Sequence, residues 1–367
     1  MRKFQTRRDF LHLAALAVGG FALHACVSQG REAEMNNLTA APTGWATTLA
    51  TPQVGTMRAA TPTTAHRSGA VVLVRTDDRI EGIRRALAQF GGLPLEGKSV
   101  VIKPNFNSAD PFPGSTHPDT LRVLVEEVQS WGATQIVVAD RSGMGDTVRV
   151  MGALGVPAMA NAMGFEHVAL DRLPPAEWEH YSLEGSHWQH GLDFPRLFNR
   201  VDAIVQTCCL KTHRYGGHFT LSLKNSVGMV AKFAPGDGYN YMHELHSSPN
   251  QRLMIAEINQ LYRPALIVLD GMKAFTHGGP ARGTVAEPGV ILVGTDRIAV
   301  DAVGVAILRL LGTTQEVARG PIFEQEQIRR ATELGLGVTA ADQIHLVTAD
   351  EKSARFAGQL QTILQRG

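Results

Sequence analysis

The segment SVVIKPNFNSADPFPGSTHPDTLRVLVEEVQSWGATQIVVAD, residues 99–140, decides the fold class of this 367-residue chain. It contains an apolar run at 99–103, apolar residues at helical spacing over 117–131, and a second apolar run at 135–139. Pro118 suits the first helical position, and Thr116 is the predicted N-cap. A strand, a helix and a strand in this order are typical of a parallel βαβ unit.

The same alternation continues on both sides of this segment. We predict further strands at 69–75, 167–170, 201–210, 266–269, 290–293 and 343–347, and further helices at 78–90, 147–154, 157–163, 253–262, 298–311 and 324–334 and at the C-terminus. Aromatic and polar residues mix over 174–198, which we interpret as a small inserted hairpin. The sequence therefore predicts one α/β domain over residues 68–367, with a mostly parallel sheet flanked by helices.

The composition is that of a soluble globular domain, with 44% hydrophobic and 19% charged residues. The formal net charge of +1 gives no electrostatic footprint for nucleic acid or for an acidic membrane surface. Three cysteines are too few for a disulfide framework. Cys208 and Cys209 are adjacent in a predicted strand, and we interpret them as small buried hydrophobic residues.

The N-terminal 26 residues are predicted to be a twin-arginine signal peptide. Arg7 and Arg8 precede a mildly apolar run at 13–23, which is shorter than the ~20 residues that span a bilayer. Its Ala and Gly content favours the twin-arginine route over the general secretory one. The expected partner is the twin-arginine export machinery, and the expected location is the periplasm or cell envelope.

Cys26 leaves two outcomes open for the end of the signal. Leu23 and Ala25 resemble a lipobox, in which the cysteine would carry a lipid anchor, whereas His24 fits this motif poorly. The alternative is plain cleavage close to the same position. Residues 27–67 are rich in Ala, Thr and Pro without helical or strand periodicity, and we predict a disordered tether.

Polar residues follow two of the predicted strands. Lys103 and Asn105 lie at the carboxyl end of one strand, and Asp140 follows the next. Ligands of parallel α/β sheets gather beyond such ends. His117 stands at a helix start, where anions are favoured. The alternative is a structural turn with a solvated lysine.

The segment LKTHRYGGHFTLSLKN, residues 210–225, is the densest cluster of polar groups. Lys211 and His213 point the same way if the strand at 201–210 extends that far, with Thr212 between them. Lys224 and Asn225 are expected to open a helix toward residue 230. Such a cluster cannot be buried without partners, which favours a carboxylate or phosphate ligand over a solvated loop.

A divalent metal is a further hypothesis. His243 and His246 are three residues apart and share one face if their segment is helical. With His213, His218 or an aspartate they could hold a metal, the alternative being surface or hydrogen-bonded histidines. Asp270 ends the predicted strand at 266–269, and a Gly-rich segment at 277–283 is predicted to be a mobile loop. Because polar residues collect repeatedly at strand ends, we predict one cleft.

Taken together, these segments resemble the bacterial and archaeal family called domain of unknown function 362. The matching motifs span roughly residues 70–311 and are Lys103-Pro104-Asn105, His117-Pro118, Lys211-Thr212-His213, Lys224-Asn225, Asp270-Gly271, Gly279-Pro280 and the Gly-x-Asp-x-x-Ala-x-Asp stretch at 294–301. The resemblance implies no established activity. Some relatives look fused to ferredoxin-type modules, but this chain lacks the four thiolates that a cluster normally needs, so we expect no iron–sulfur cluster.

The leading functional hypothesis is an envelope enzyme that acts on a small anionic substrate, with or without a metal. Lys103, Lys211 and Lys224 would hold the anion, and His213 or Asp140 would move protons, with Lys211 assisting. The remaining predicted substrate contacts are Asn105, His117, Thr212, Asn225 and Asp270. A non-catalytic binder of an anionic metabolite or metal complex and a cofactor-loaded redox protein are the alternatives.

Overall fold

The computed structural model describes residues 69–366 of the chain. The predicted signal at 1–26, with Cys26, and the predicted tether at 27–67 lie outside the described residues and stay predictions. Within the described part, no helix has the length and the apolar character that crossing a membrane requires.

A ten-stranded sheet forms the centre of the fold. The strands within residues 69–366 are β1 (Ala70–Arg75), β2 (Ser99–Lys103), β3 (Gln135–Asp140), β4 (Glu166–Ala169), β5 (Trp178–Tyr181), β6 (Leu192–Pro195), β7 (Ala203–His213), β8 (His218–Thr220), β9 (Leu266–Gly278), β10 (Gly283–Ala286), β11 (Val290–Gly294) and β12 (His345–Val347). The main path of the sheet is β12-β1-β11-β9-β7-β2-β3-β4, while β8 pairs with β7 and β10 with β9.

The sheet is mixed but mostly parallel along this path. β7 is parallel to both β2 and β9, and β3 is parallel to β2 and β4. β11 is antiparallel to both β1 and β9, and the pairs β7–β8 and β9–β10 are antiparallel hairpins. A separate antiparallel pair, β5–β6, is the predicted inserted hairpin. The predicted α/β fold class is therefore confirmed.

Helices cover both faces of the sheet. They are α1 (Arg79–Phe90), α2 (Pro118–Ser130), α3 (Thr147–Ala153), α4 (Val156–Met163), α5 (Leu197–Arg200), α6 (Ser222–Asn225), α7 (Tyr241–Ser247), α8 (Gln251–Ile258), α9 (Arg297–Leu310), α10 (Gln315–Ala318), α11 (Glu326–Glu333) and α12 (Glu351–Arg366). Apolar residues of α1 and α2 pack in one core cluster, and those of α9 and α12 pack in another. Along β1 the buried residues alternate between the two clusters, as the period of a strand requires.

The start of α2 differs from the prediction by one residue. His117, and not Thr116, is the N-cap, because its Nδ1 accepts the N–H of Asp119 at 3.1 Å. The Thr116 hydroxyl instead accepts the N–H of Asn105 at 2.8 Å and ties the loop back to the end of β2.

Two further boundary predictions were wrong. β9 does not end at Leu269 but continues to Gly278, with a register shift against β7 between Cys209 and Leu210. The predicted mobile loop at 277–283 is the turn of the β9–β10 hairpin, in which the Gly279 N–H donates to the Arg282 carbonyl at 2.7 Å. Gly279 has a φ of +66° and packs against the Thr212 carbonyl, which a side chain at this position would strike.

Lys224 and Asn225 do not open a helix toward residue 230, as the sequence suggested. They end the short helix α6, and a 3-10 turn at Ser226–Met229 follows. Cys208 and Cys209 are free and buried in β7, in agreement with their prediction as small core residues.

Candidate functional site

A cleft lies where β2, β3 and β7 end. It encloses about 400 Å³ that is empty of protein atoms and partly open to solvent. Its lining residues are Lys103, Asn105, Asn107, Asp140, Arg141, Gly143, Lys211, His213, Thr220, Lys224, Asn225, Val227, Gly228 and Pro280. The position agrees with the general rule that ligands bind beyond the carboxyl ends of parallel strands. Four of these side chains are basic, besides His213, and only Asp140 is acidic.

Lys103 and Asp140 form a buried ion pair at the base of the cleft. The Lys103 Nζ lies 2.7 Å from the Asp140 Oδ1 and also donates to the Pro104 carbonyl and to Asn225 Oδ1. Asp140 accepts two further N–H groups, from Phe106 and Arg141. Burial lowers the pKa of Lys103 and raises that of Asp140, and the ion pair opposes both shifts. All three Lys103 donors are occupied, so this lysine supports the cleft and has none left for a ligand.

Asn225 links the two lysines of neighbouring strands. Its Oδ1 accepts from Lys103 and from Asn105 Nδ2 at 3.1 Å, while its Nδ2 donates to the Thr207 carbonyl at 3.0 Å. The Asn105 Oδ1 in turn accepts from the Lys211 Nζ at 2.8 Å. Lys211 also donates to the Gly114 carbonyl, which leaves one of its three donors available.

Arg141 is almost fully buried, and its guanidinium bonds to neutral groups. Nε donates to the Val230 carbonyl at 2.8 Å, and the terminal nitrogens contact the carbonyls of Ser142 and Val227 and the sulfur of Met242. Burial lowers the pKa of Arg141 to about 10, and Asp140 and Asp171 oppose the shift. The guanidinium therefore stays charged at neutral pH.

Lys224 differs from the other three cations because its ammonium has no partner. The residue is 7% exposed, and its ammonium makes no hydrogen bond or ion pair to any residue within 69–366. The charges that act on it come from Lys211 and Arg141 and are of the same sign. Burial, together with these two charges, lowers the pKa of Lys224 to about 7.

Three polar atoms of the cleft lining are buried without a hydrogen-bond partner, namely Asn107 Nδ2, His213 Nδ1 and Thr220 Oγ1. The first and third can donate a hydrogen bond, and His213 Nδ1 can donate in one of its two neutral tautomers. Burial, followed by the charges of Lys224 and Lys211, lowers the pKa of His213 well below its ordinary value, so its imidazole is neutral at pH 7. These atoms add neutral donors to the cations around the same space.

Two glycines let the backbone approach the charged side chains. A Cβ on Gly228 would lie 2.4 Å from Asp140 Oδ1 and 2.9 Å from Lys103 Nζ. A Cβ on Gly217 would lie 2.6 Å from Lys224 Cε and 2.9 Å from His213 Nδ1. The second pair of contacts also shows that Lys224 and His213 pack against the same stretch of backbone.

Asp301 of α9 fixes the helix that carries Lys224. Its two carboxylate oxygens accept the N–H groups of Ser222 at 2.7 Å and Leu223 at 3.0 Å, at the start of α6. Burial raises the pKa of Asp301 to about 7, against the effect of these hydrogen bonds and of Arg297.

The structure brings together part of the predicted site. Lys103, Asn105, Asp140, Lys211, His213, Lys224 and Asn225 line the cleft, whereas His117, Thr212 and Asp270 are not among the lining residues. Thr212 alternates with Lys211 and His213 along β7, and its hydroxyl bonds to the Phe275 carbonyl at 3.2 Å. Asp270 pairs with Arg79 at 2.9 Å and accepts from Thr120, and His117 caps α2.

The predicted metal pair gains no third ligand within the described residues. His243 and His246 both lie on α7, and both are exposed. The Nδ1 of His246 lies 2.7 Å from the Met242 carbonyl. No group of three or more His, Cys, Asp or Glu residues within 69–366 is arranged to hold a metal ion.

Sequence reasoning missed Arg141, Asn107 and Thr220 as site residues. Asn107 and Arg141 follow the ends of β2 and β3, so the strand-end rule could have included them. Thr220 lies opposite Lys211 in the β7–β8 hairpin, and that register could not be read before the turn was known.

Among solved structures, the chain is similar to the lactate racemase apoprotein from Thermoanaerobacterium thermosaccharolyticum. The TM-score is 0.39 at 14% identity, and the match covers 62% of this chain and 54% of the racemase chain. A similarity of this size supports no argument about function.

Among curated proteins, the thylakoid-associated protein sll1697 of Synechocystis sp. (strain ATCC 27184 / PCC 6803 / Kazusa) is 26% identical over 275 residues, which cover 72% of this chain and 77% of that protein. Residues 100–306 match the family described as "Domain of unknown function (DUF362)". This match spans more than half of the chain and contains every residue that lines the cleft. The resemblance predicted from the motifs is thereby confirmed: the chain belongs to the DUF362 family.

Proposed function

We propose that the protein is an enzyme that binds a small anionic substrate, a carboxylate or a phosphoryl compound, in this cleft. The observation that carries the proposal is Lys224, a residue only 7% exposed whose ammonium has no partner among the described residues. Burying an unpaired charge is costly, so a protein retains one mainly where a ligand supplies the counter-charge. Lys211 has one donor left for the same ligand.

The titration of Lys224 supports an enzyme over a passive binder. A group that transfers protons works best when its pKa lies near the working pH, and the pKa of Lys224 is about 7. Lys224 therefore replaces His213 and Asp140 in the proton-transfer role. Asp140 already accepts three hydrogen bonds, and burial lowers the pKa of His213 well below its ordinary value, so that its imidazole is neutral at pH 7.

The test is calorimetric titration of the purified protein with phosphate and with acetate. Lys211→Ala and Lys224→Ala should each weaken binding of the retained anion about tenfold or more, because each removes a charge-assisted hydrogen bond. Lys352→Ala is the matched control, since Lys352 pairs with Asp77 on the surface and lies outside the cleft. Binding that is unchanged in both cleft variants would contradict the assignment.

A metabolite screen separates the enzyme from the non-catalytic binder. Turnover of an anionic metabolite that disappears in Lys224→Ala supports the enzyme, whereas saturable binding without turnover supports the binder. Elemental analysis and absorbance of protein purified from its own envelope test the metal and redox hypotheses.

We also propose that the protein acts outside the cytoplasm. The support is the Arg7-Arg8 pair before the apolar run at 13–23, with Cys26 as a lipid attachment site or as a residue near the cleavage point.

A further inference from the structure

We propose that the ligand of the cleft is a small dianion, two negative charges on one compact group, and that its binding draws one proton from solvent onto Lys224. This inference rests on the proposed function and narrows it. Monocarboxylates would then be poor ligands. Binding would be accompanied by proton uptake, whereas a site whose cations are charged throughout the pH range would take up no proton.

The balance of charge in the cleft is the first argument. Four cationic side chains and one carboxylate line it, and the carboxylate of Asp140 is already paired with Lys103 at 2.7 Å. Arg141, Lys211 and Lys224 then remain without an ion pair within the described part of the chain. A monoanion would leave two of these three charges buried without compensation, while a dianion would leave one. The lower residual cost of burial favours the dianion.

The balance of hydrogen-bonding groups gives the same result independently. Free donors in the lining are the Lys224 ammonium, one N–H of Lys211, and the buried atoms Asn107 Nδ2 and Thr220 Oγ1, while His213 Nδ1 adds a donor in one of the two neutral tautomers. The side-chain oxygens of Asp140, Asn105 and Asn225 are occupied, because they accept from Lys103, Lys211, Asn105 and backbone N–H groups. A ligand that fits many donors and few acceptors is a compact group rich in oxygens and poor in protons.

The uptake of one proton is expected because the protonation state of Lys224 differs before and after the anion binds. Without a counter-charge its pKa is about 7, because of burial and the charges of Lys211 and Arg141. An anion beside the ammonium favours the charged form and raises this pKa. A neutral Lys224 amine, a dianion and one proton from the buffer then combine into an ammonium–dianion complex, with no bond broken and charge conserved.

The neighbouring titratable groups are not expected to account for the same proton uptake. Burial lowers the pKa of His213 and of His246, so both imidazoles are neutral above pH 7. Arg141 stays charged because its pKa is about 10. Burial also lowers the pKa of Lys211, which hydrogen-bonds to two oxygens, so its contribution has to be separated by a variant at Lys224.

The experiment uses sulfate, a dianion that does not titrate between pH 6 and 9, and acetate, a monoanion of similar size. Calorimetry in buffers of different ionisation enthalpy gives the number of protons taken up. Sulfate should bind at least about tenfold more tightly than acetate. Uptake should be about half a proton at pH 7, close to one at pH 8 and near zero at pH 5.5.

Lys224→Arg is the decisive variant, because arginine keeps the charge and does not titrate in this range. It should bind sulfate with little proton uptake, whereas Lys352→Arg should behave as the parent protein. Equal affinities for acetate and sulfate, or undiminished uptake in Lys224→Arg, would overturn the inference and leave the proposed function standing. Binding of neither anion at any pH would count against both.

Discussion

Lys224 is a residue that the fold keeps at a cost to its own stability. Its ordinary pKa of 10.5 falls to about 7 in the folded protein, so folding favours loss of its proton. The unfolding free energy therefore carries a penalty that is full below pH 7 and disappears as the pH rises toward 10.5. Such a conflict between stability and charge is typical of functional positions.

Replacement of this lysine by an uncharged chain should stabilise the protein. We expect Lys224→Met to raise the unfolding free energy by about 1–3 kcal/mol at pH 6, with a smaller gain at pH 9. Urea denaturation at both pH values measures the difference. Lys352→Met, at an exposed surface pair, should change stability by less than about 1 kcal/mol at either pH. A loss of stability in Lys224→Met at pH 6 would show that the ammonium has a partner.

Residues of the cleft were predictable where a local rule sufficed. The alternation of side chains along a strand places Lys211 and His213 on one side and Thr212 on the other, and β7 extends far enough for this rule to apply. The strand-end rule could have placed Arg141 at the cleft, whereas its burial against the carbonyls of Val227 and Val230, far along the chain, could not be predicted. Asp270 is not among the lining residues, and its pairing with Arg79 on a distant helix could not be read from the sequence.

Helix α6 is too short to be stable by itself, and Asp301 holds its first turn. The carboxylate satisfies the N–H groups of Ser222 and Leu223, which have no acceptor inside the helix. Because Lys224 follows directly, the position of its ammonium depends on this contact between α6 and α9. Asp301 is thus a positioning residue of the cleft.

Asp301→Asn should destabilise the protein by about 1–3 kcal/mol, since the amide nitrogen cannot accept from the second of the two buried N–H groups, whereas both oxygens of a carboxyl group, protonated or not, can accept. Folding raises the pKa of Asp301 from 3.8 to about 7. The stability that this group contributes is therefore full below pH 4 and lost as the pH rises through 7. The difference in unfolding free energy between the parent protein and Asp301→Asn should become smaller from pH 5 to pH 8. Denaturation curves at three pH values test this, and a difference that widens would refute it.

The elements themselves were largely predictable, because their apolar periodicity is local. The predicted strand at 99–103 coincides with β2, and the helix at 78–90 differs from α1 by one residue. β9 was cut short because Asp270 and Gly271 resemble a strand end, whereas pairing with β7 and β10 carries the strand on to Gly278. The order of strands in the sheet depends on such long-range pairing and could not be read from the sequence.

The whole molecule combines a near-neutral net charge with a cleft of concentrated positive charge. The formal net charge is +1, yet four cations line one small space. At physiological salt, surface charges more than about 8–10 Å from the ligand are screened. The electrostatic attraction of the ligand therefore comes mainly from the charges that line the cleft. Sulfate binding should accordingly depend less on ionic strength than binding to an exposed cationic patch.

The proposed export signal lies at Arg7 and Arg8, outside the described residues. If the Arg7-Arg8 pair is read by the twin-arginine machinery, exchange of both arginines for lysine should leave the precursor in the cytoplasm, although charge and apolar run are unchanged. Fractionation followed by immunoblotting measures the distribution, and Arg2→Lys, which lies outside the pair, is the matched control. Export of the double-lysine variant at the parent level would assign the segment to the general secretory route.

A Cys26→Ala variant, followed by detergent partitioning, then separates lipid attachment from plain cleavage, because only an anchored protein changes from the detergent to the aqueous phase.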